Sequence, residues 1–167
     1  MDFKGYINES SINNLYQSAV DAFPNTRMRQ HAVDPIEIGN VNMTPYVGVR
    51  TLFVRATARN EDRQYSPMIL FTGVNYNEEG PIQIEYNGRP YQFNPPSIED
   101  SDVRVRCGCG DFKWRFNYYD HVDQSLYGRV RAPYEGQGAP ANPQEMPGMC
   151  KHLMKLAQIL REEGLIA

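Results

Sequence analysis

Hydrophobic positions recur at two different periods along this chain. From Asn8 to Phe23 the apolar residues Ile12, Leu15, Tyr16, Ala19 and Phe23 fall at helical spacing, which predicts a first helix. Ser10 or Ser11 can cap it through a hydroxyl that accepts from a first-turn amide, and Pro24-Asn25 stops it. Thr26 to Pro45 carries two prolines and several asparagines and reads as irregular, with a short strand at most. The period then shortens to two. Val47 to Ala56 is rich in β-branched residues and partly alternates, and Met68 to Val74 is a second, more apolar run, so both are expected strands. Ile82 to Tyr86, Asn87-Gly88 and Tyr91 to Phe93 make a hairpin, because Asn-Gly accepts the positive φ angles of a tight turn.

The last third opens with the alternating strand Val103 to Arg106, which runs into Cys107-Gly108-Cys109-Gly110. Phe112 to Tyr118 alternates again and is expected to pair back on it as a strand. A loop rich in glycine and proline follows, from about Asp120 to Pro147. Pro147-Gly148 then leads into a final helix with Met149, Leu153, Leu156 and Leu160 on its apolar face. The predicted class is α+β: a mainly antiparallel sheet with a helix near each end. A length of 167 residues suits one domain. Within it, residues 1–100 supply a helix and sheet, and residues 101–167 a metal-binding hairpin, loop and helix.

Composition narrows the function. A net charge of -3 gives no overall basic field, which counts against a protein built mainly to grip nucleic-acid backbone. No apolar run approaches the roughly 20 residues that cross a bilayer, so no membrane partner is expected. The start, Met1 to Tyr6, lacks the basic and apolar stretches of a signal peptide, and a reducing, cytosolic origin follows as an expectation. Of 17 basic residues only Lys4, Lys113, Lys151 and Lys155 are lysines, and there are 11 tyrosines and 7 methionines. Arginine, tyrosine and methionine are enriched where proteins meet proteins, whereas GC-rich coding alone also raises arginine.

All three cysteines fall in two short clusters, Cys107-Gly108-Cys109 and Cys150-Lys151-His152. Residues two apart in an extended strand point the same way, roughly 6–7 Å between Cα atoms. Two thiolates so placed can both reach one metal at about 2.3 Å. The glycines at 108 and 110 are expected to let the backbone fold closely around the ion and aim amides at the sulfurs. Positions two apart lie on nearly opposite sides of a helix, so Cys150 and His152 converge only if Cys150 stands at or before the first turn. Pro147-Gly148 puts the helix start there. Disulfide pairing and inert buried thiols are the alternatives, and the tight clustering with a terminal histidine favours a zinc ion. His31 and His121 read as ordinary surface or packing residues, with His121 a conceivable substitute ligand. Glu99, Asp100 and Asp102 read as a solvated turn.

A Cys-x-Cys on a hairpin and a Cys-x-His opening a helix resembles the SWIM family of zinc modules over roughly Val103 to Leu160. The resemblance implies a structural Zn²⁺ held by Cys107, Cys109, Cys150 and His152, in a module that serves DNA or protein contacts. The fuller string Arg106-Cys107-Gly108-Cys109 with Asp111-Phe112, then Asn142-Pro143 and Gly148-Met149-Cys150-Lys151-His152-Leu153, is similar to small proteins encoded among structural genes of tailed bacteriophages. That second likeness implies a virion protein of the tail, baseplate or neck region, assembled in the host cytoplasm and docked on other protein subunits.

Two function classes therefore stand side by side. One is a non-catalytic structural or assembly protein. The other is a nucleic-acid-binding module, in which Arg104, Arg106, Lys113 and Arg115 alternate around Phe112, Trp114 and Phe116 to hold phosphates and stack bases. The same alternation describes a strand with aromatics in the core and arginines in water. An enzyme is not expected. A Cys-His nucleophile pair leaves Cys107 and Cys109 without a purpose, four ligands close the metal's shell, and no phosphate-cradling glycine loop or small-molecule substrate site is evident.

Overall fold

Ser11 opens the first helix of the computed structural model, which describes residues 10–24, 35–133 and 140–167. Its hydroxyl accepts from the Asn14 amide at 3.2 Å, so of the two expected caps Ser11 is the one used. Helix α1 spans Ile12–Ala22 and buries Ile12, Leu15, Ala19 and Ala22, while Tyr16 stays 40% exposed. The expected residues Asn8 and Glu9 lie outside the described residues, as does His31.

The sheet is where sequence and structure first part. β1 is a ten-residue strand, Glu37–Tyr46, in a stretch whose prolines and asparagines argue against one. It pairs antiparallel with β2, Thr51–Asn60, in a register running from Glu37 opposite Arg59 to Tyr46 opposite Thr51. A bulge between Gly39 and Asn42, with Asn40 at φ 49°, absorbs the irregularity. Pro45 is tolerated because β1 is an outer strand. Pairing with a strongly β-forming neighbour overrides weak local preference. β2 also starts later than its apolar run suggests, because Val47–Val49 form a 3₁₀ turn and Arg50 sits at φ 52°.

β3 (Arg63–Tyr65) folds back on the end of β2, and β4 (Met68–Phe71) continues along the same side of β2, opposite β1. The hairpin of β5 (Ile82–Tyr86) and β6 (Arg89–Phe93) stands as a separate two-stranded sheet, turning at Asn87 and Gly88 with φ of 53° and 76°. β7, Val103–Arg106, pairs antiparallel with β4 and gives the main sheet the order β1-β2-β4-β7. A strand from residues 101–167 thus completes a sheet begun in residues 1–100.

The segment expected as a strand at Phe112 to Tyr118 is helical. Phe112–Phe116 form a wide π turn that continues into helix α2, Asn117–Val122. Positions 112 and 116 share a face in either conformation, and both phenylalanines are fully buried. Trp114 separates the two, since a strand with the phenylalanines inward would bury it, and it is 41% exposed. In the loop beyond α2, Ser125 to Tyr127 runs alongside β7: the Val105 amide donates to the Ser125 carbonyl at 2.8 Å and the Tyr127 amide to the Val105 carbonyl at 3.0 Å.

The final helix α3, Lys151–Glu162, buries Leu153, Leu156 and Leu160, with Met149 buried just before it. One core unites α1, the inner face of the sheet (Leu52, Val54, Ile69, Phe71, Val103, Val105), the two buried phenylalanines of the π turn and α3. The fold is α+β as predicted, with a helix toward each end. Among the described residues no helix is long and apolar enough to cross a membrane.

Candidate metal centre

Strand β7 delivers the first two candidate ligands. Val103 and Val105 point into the core, and the chain leaves β7 at Cys107 still close to that core. Cys109 follows in the turn that starts the helical segment, where the Phe112 amide donates to its sulfur at 3.4 Å. Helix α3 delivers the other two. Cys150 occupies its N-cap with extended backbone, φ -79° and ψ 170°, and His152 stands in the first turn. That is the placement the Cys-x-His spacing requires for both side chains to face one point.

The four donor atoms lie within 4.8 Å of one another, and all four residues are buried. Nδ1 of His152 is 3.8 Å from the Cys107 sulfur and 4.0 Å from the Cys150 sulfur. Donors in a tetrahedron around zinc stand roughly 3.8 Å apart when the bonds are about 2.3 Å. The cluster fits a single four-coordinate metal with Nδ1 as the ligating nitrogen. The Tyr65 ring packs against the imidazole at 4.7 Å between centroids. Nε2 of His152 is buried with no hydrogen-bond partner among the described residues.

The thiols share protons unevenly. A hydrogen bond from Cys107, then one from Cys150, hold the Cys109 thiol far below its ordinary value, with the Phe112 amide adding to the effect. Donating that bond pushes the Cys107 thiol up, and burial pushes Cys150 up. A metal displaces such protons and neutralises the buried thiolates, which is why donor sets of this kind bind metal more tightly as pH rises.

The glycine expectation does not hold. Neither Gly108 nor Gly110 has a positive φ, and a Cβ built on either meets nothing within 4 Å. The backbone needs no glycine at those positions to form the turn. The constrained glycine near the donor cluster is Gly148, where a Cβ would lie 2.5 Å from the Phe116 ring and 2.9 Å from Ala19. Its amide donates to Oδ1 of Asp120 at 2.7 Å, a fully buried carboxyl whose Oδ2 has no partner among the described residues. Burial pushes the Asp120 carboxyl well up from its usual range, against the pull of the Gly148 amide. Asp120 thus fixes the strap leading to Cys150, a role hidden in a segment that reads as loop. Asn142 does similar work. Its side-chain amide donates to the carbonyls of Arg115 and Met146 at 2.9 and 2.8 Å, tying the loop before α3 to the π turn.

The residues named for nucleic-acid contact do not line one strand. Arg104 and Arg106 stand on β7, but Lys113, Trp114 and Arg115 lie on the π turn. Arg115 pairs with Asp111 at 2.7 Å and stacks on Phe23, so its charge serves the fold. Trp114 carries the Arg131 guanidinium 4.5 Å from its ring centroid. His121 is exposed on α2 and outside the ligand cluster. Glu99, Asp100 and Asp102 belong to the turn before β7, where the Ser97 hydroxyl accepts the amides of Glu99 and Asp100. Comparison with protein-family models, curated proteins and solved structures finds no match to this chain.

Proposed function

We propose that this chain is a non-catalytic assembly protein of a phage particle, stiffened by one structural zinc ion and acting by docking on other protein subunits. The observation that carries the reading is the donor set itself: Cys107, Cys109, Cys150 and His152 converge, all buried, with donor atoms within 4.8 Å of one another, the number of ligands a closed tetrahedral shell takes. A catalytic zinc keeps a position for water or substrate, and structural zinc does not. Three sulfurs and one imidazole are soft donors in the geometry zinc prefers. The ion would join the end of β7 to the start of α3, two elements far apart in sequence, and so hold the last helix on the sheet.

The virion setting rests on the likeness of the Cys107–Cys109 and Gly148–His152 strings to phage structural proteins, and docking on the arginine, tyrosine and methionine content. Elemental analysis of protein purified without chelator tests the metal, with one zinc per chain expected. Mass spectrometry of purified particles tests the setting. Peptides of this chain at fixed stoichiometry support it, and their confinement to the soluble lysate overturns it.

A further inference from the structure

The outward face of the main sheet is organised in rows that the strand register makes explicit. One row runs Thr44, Phe53, Leu70, Arg104 across β1, β2, β4 and β7, and the next runs Asn42, Arg55, Met68, Arg106. Directly opposed residues of antiparallel strands share a face, so these eight side chains stand together. Phe53, Leu70 and Met68 form an apolar stripe left half-buried, and Arg55 and Arg104 beside it are exposed. Tyr46, 48% exposed, extends the stripe at one corner through its pairing with Thr51.

Neither row holds a carboxylate, and among the described residues no carboxylate forms an ion pair with Arg55, Arg104 or Arg106. Arg106 is fixed in place: its guanidinium donates to the carbonyls of Tyr127 and Arg129 at 3.1 and 2.8 Å. Arg129, exposed on that loop, adds positive charge beside Arg106, while the Arg131 guanidinium is taken up over the Trp114 ring. A chain of net charge -3 thus concentrates arginine on one sheet face.

We propose that this face is a docking surface for an acidic, amphipathic segment of another protein. The reading rests on the docking function above and gives the partner its chemistry. Carboxylates of the partner would meet Arg55 and Arg104 while its apolar side chains cover Leu70, Met68 and the exposed edge of the Phe53–Tyr127 pair, the pattern of an apolar centre with charge-complementary flanks. Four strands span roughly 14 Å, enough for one extended segment or one helix about 10 Å across. The chemistry favours protein over nucleic acid. Phe53 is the single aromatic ring within the two rows, and Tyr127 already packs on it at 5.0 Å between centroids. Aliphatic Leu70 and Met68 give bases no stacking platform.

The test uses the zinc-loaded full chain and three labelled probes: an alternating Glu/Leu dodecapeptide, its Lys/Leu counterpart, and a 20-nucleotide single strand. The Glu/Leu peptide is expected to bind at least tenfold tighter than either other probe. The double variant Arg55→Glu with Arg104→Glu is expected to lose that binding at least tenfold with an unchanged melting temperature, and Arg89→Glu on the separate hairpin to keep it. Equal binding of the two peptides, full binding by the double variant, or tighter binding of the single strand overturns the proposal. A chain that holds zinc yet ignores the acidic peptide sinks this inference alone and leaves the structural role of the metal standing.

Discussion

The sulfur of Cys150 lies 4.0 Å from Nδ1 of His152 although only Lys151 separates the two residues. The approach is possible because Cys150 has extended backbone at the N-cap while His152 is helical. A helical conformation at both positions would turn the side chains to opposite sides. The convergence of the four donors therefore depends on where α3 begins, and α3 begins where Gly148 and Asp120 fix the strap before it.

Removing a ligand should remove more than the metal. Apparent zinc-binding energies of structural sites reach about 10 kcal/mol, comparable to the stability of a whole domain. Cys109→Ser is expected to abolish stoichiometric zinc and the cooperative melting of at least residues 103–160, followed by elemental analysis and circular dichroism. Melting within a degree or two of the parent would refute the structural role.

The Asp120 carboxyl predicts a pH dependence of definite sign. Its folded-state pKa is raised above the ordinary 3.8, first by burial and then by Asp123, which itself is held by the Ser10 hydroxyl at 2.7 Å. The unfolded state loses this proton first, so stability falls as pH rises from about 3.8 toward the folded value and then levels off. Asp120→Asn keeps an acceptor for the Gly148 amide without a charge. It is expected to raise the melting temperature at pH 7 and to flatten this part of the profile. Parallel profiles of variant and parent would contradict the assignment.

Gly148→Ala and Gly108→Ala should separate cleanly. The first drives a Cβ to 2.5 Å from the Phe116 ring, and overpacking of this kind costs about 1–3 kcal/mol. The second meets open space and is expected to change stability little. Denaturant titration of both variants ranks them, and a destabilised Gly108→Ala with a silent Gly148→Ala would reverse the account of the two turns.

Asn142→Ala leaves the Met146 carbonyl and amide and the Arg115 carbonyl without their side-chain partner. These bonds are part-buried, and losing hydrogen bonds of this kind costs about 0.5–1.5 kcal/mol each. The variant is expected to lose stability accordingly and to exchange zinc faster, because the loop carrying Cys150 loses its tie to the π turn. Metal transfer to a chromogenic chelator measures the second effect.

How far the sequence could be read depended on whether a pattern had one physical solution. Asn87-Gly88 admits only a tight turn, and the ligand pairs at 107/109 and 150/152 converge where spacing and helix start require. Phe112 to Phe116 has two solutions, since buried positions four apart satisfy both strand and helix, and only the exposure of Trp114 separates them. β1 was not legible because its strand state comes from β2, which lies outside the window in which its own residues are judged. Asp120 was hidden for a related reason: a lone aspartate in a polar segment gives no sign that the fold will close over it.

The bulge between Gly39 and Asn42 and the proline at 45 have a consequence for crowding. Among the described residues β1 is paired along one side only and ends the main sheet, whose other end is already paired with Ser125 to Tyr127. A bulged strand with a proline offers a poor template for a neighbour's backbone. Copies packed at high local concentration should resist running together into continuous sheets and stay separate, dispersed molecules.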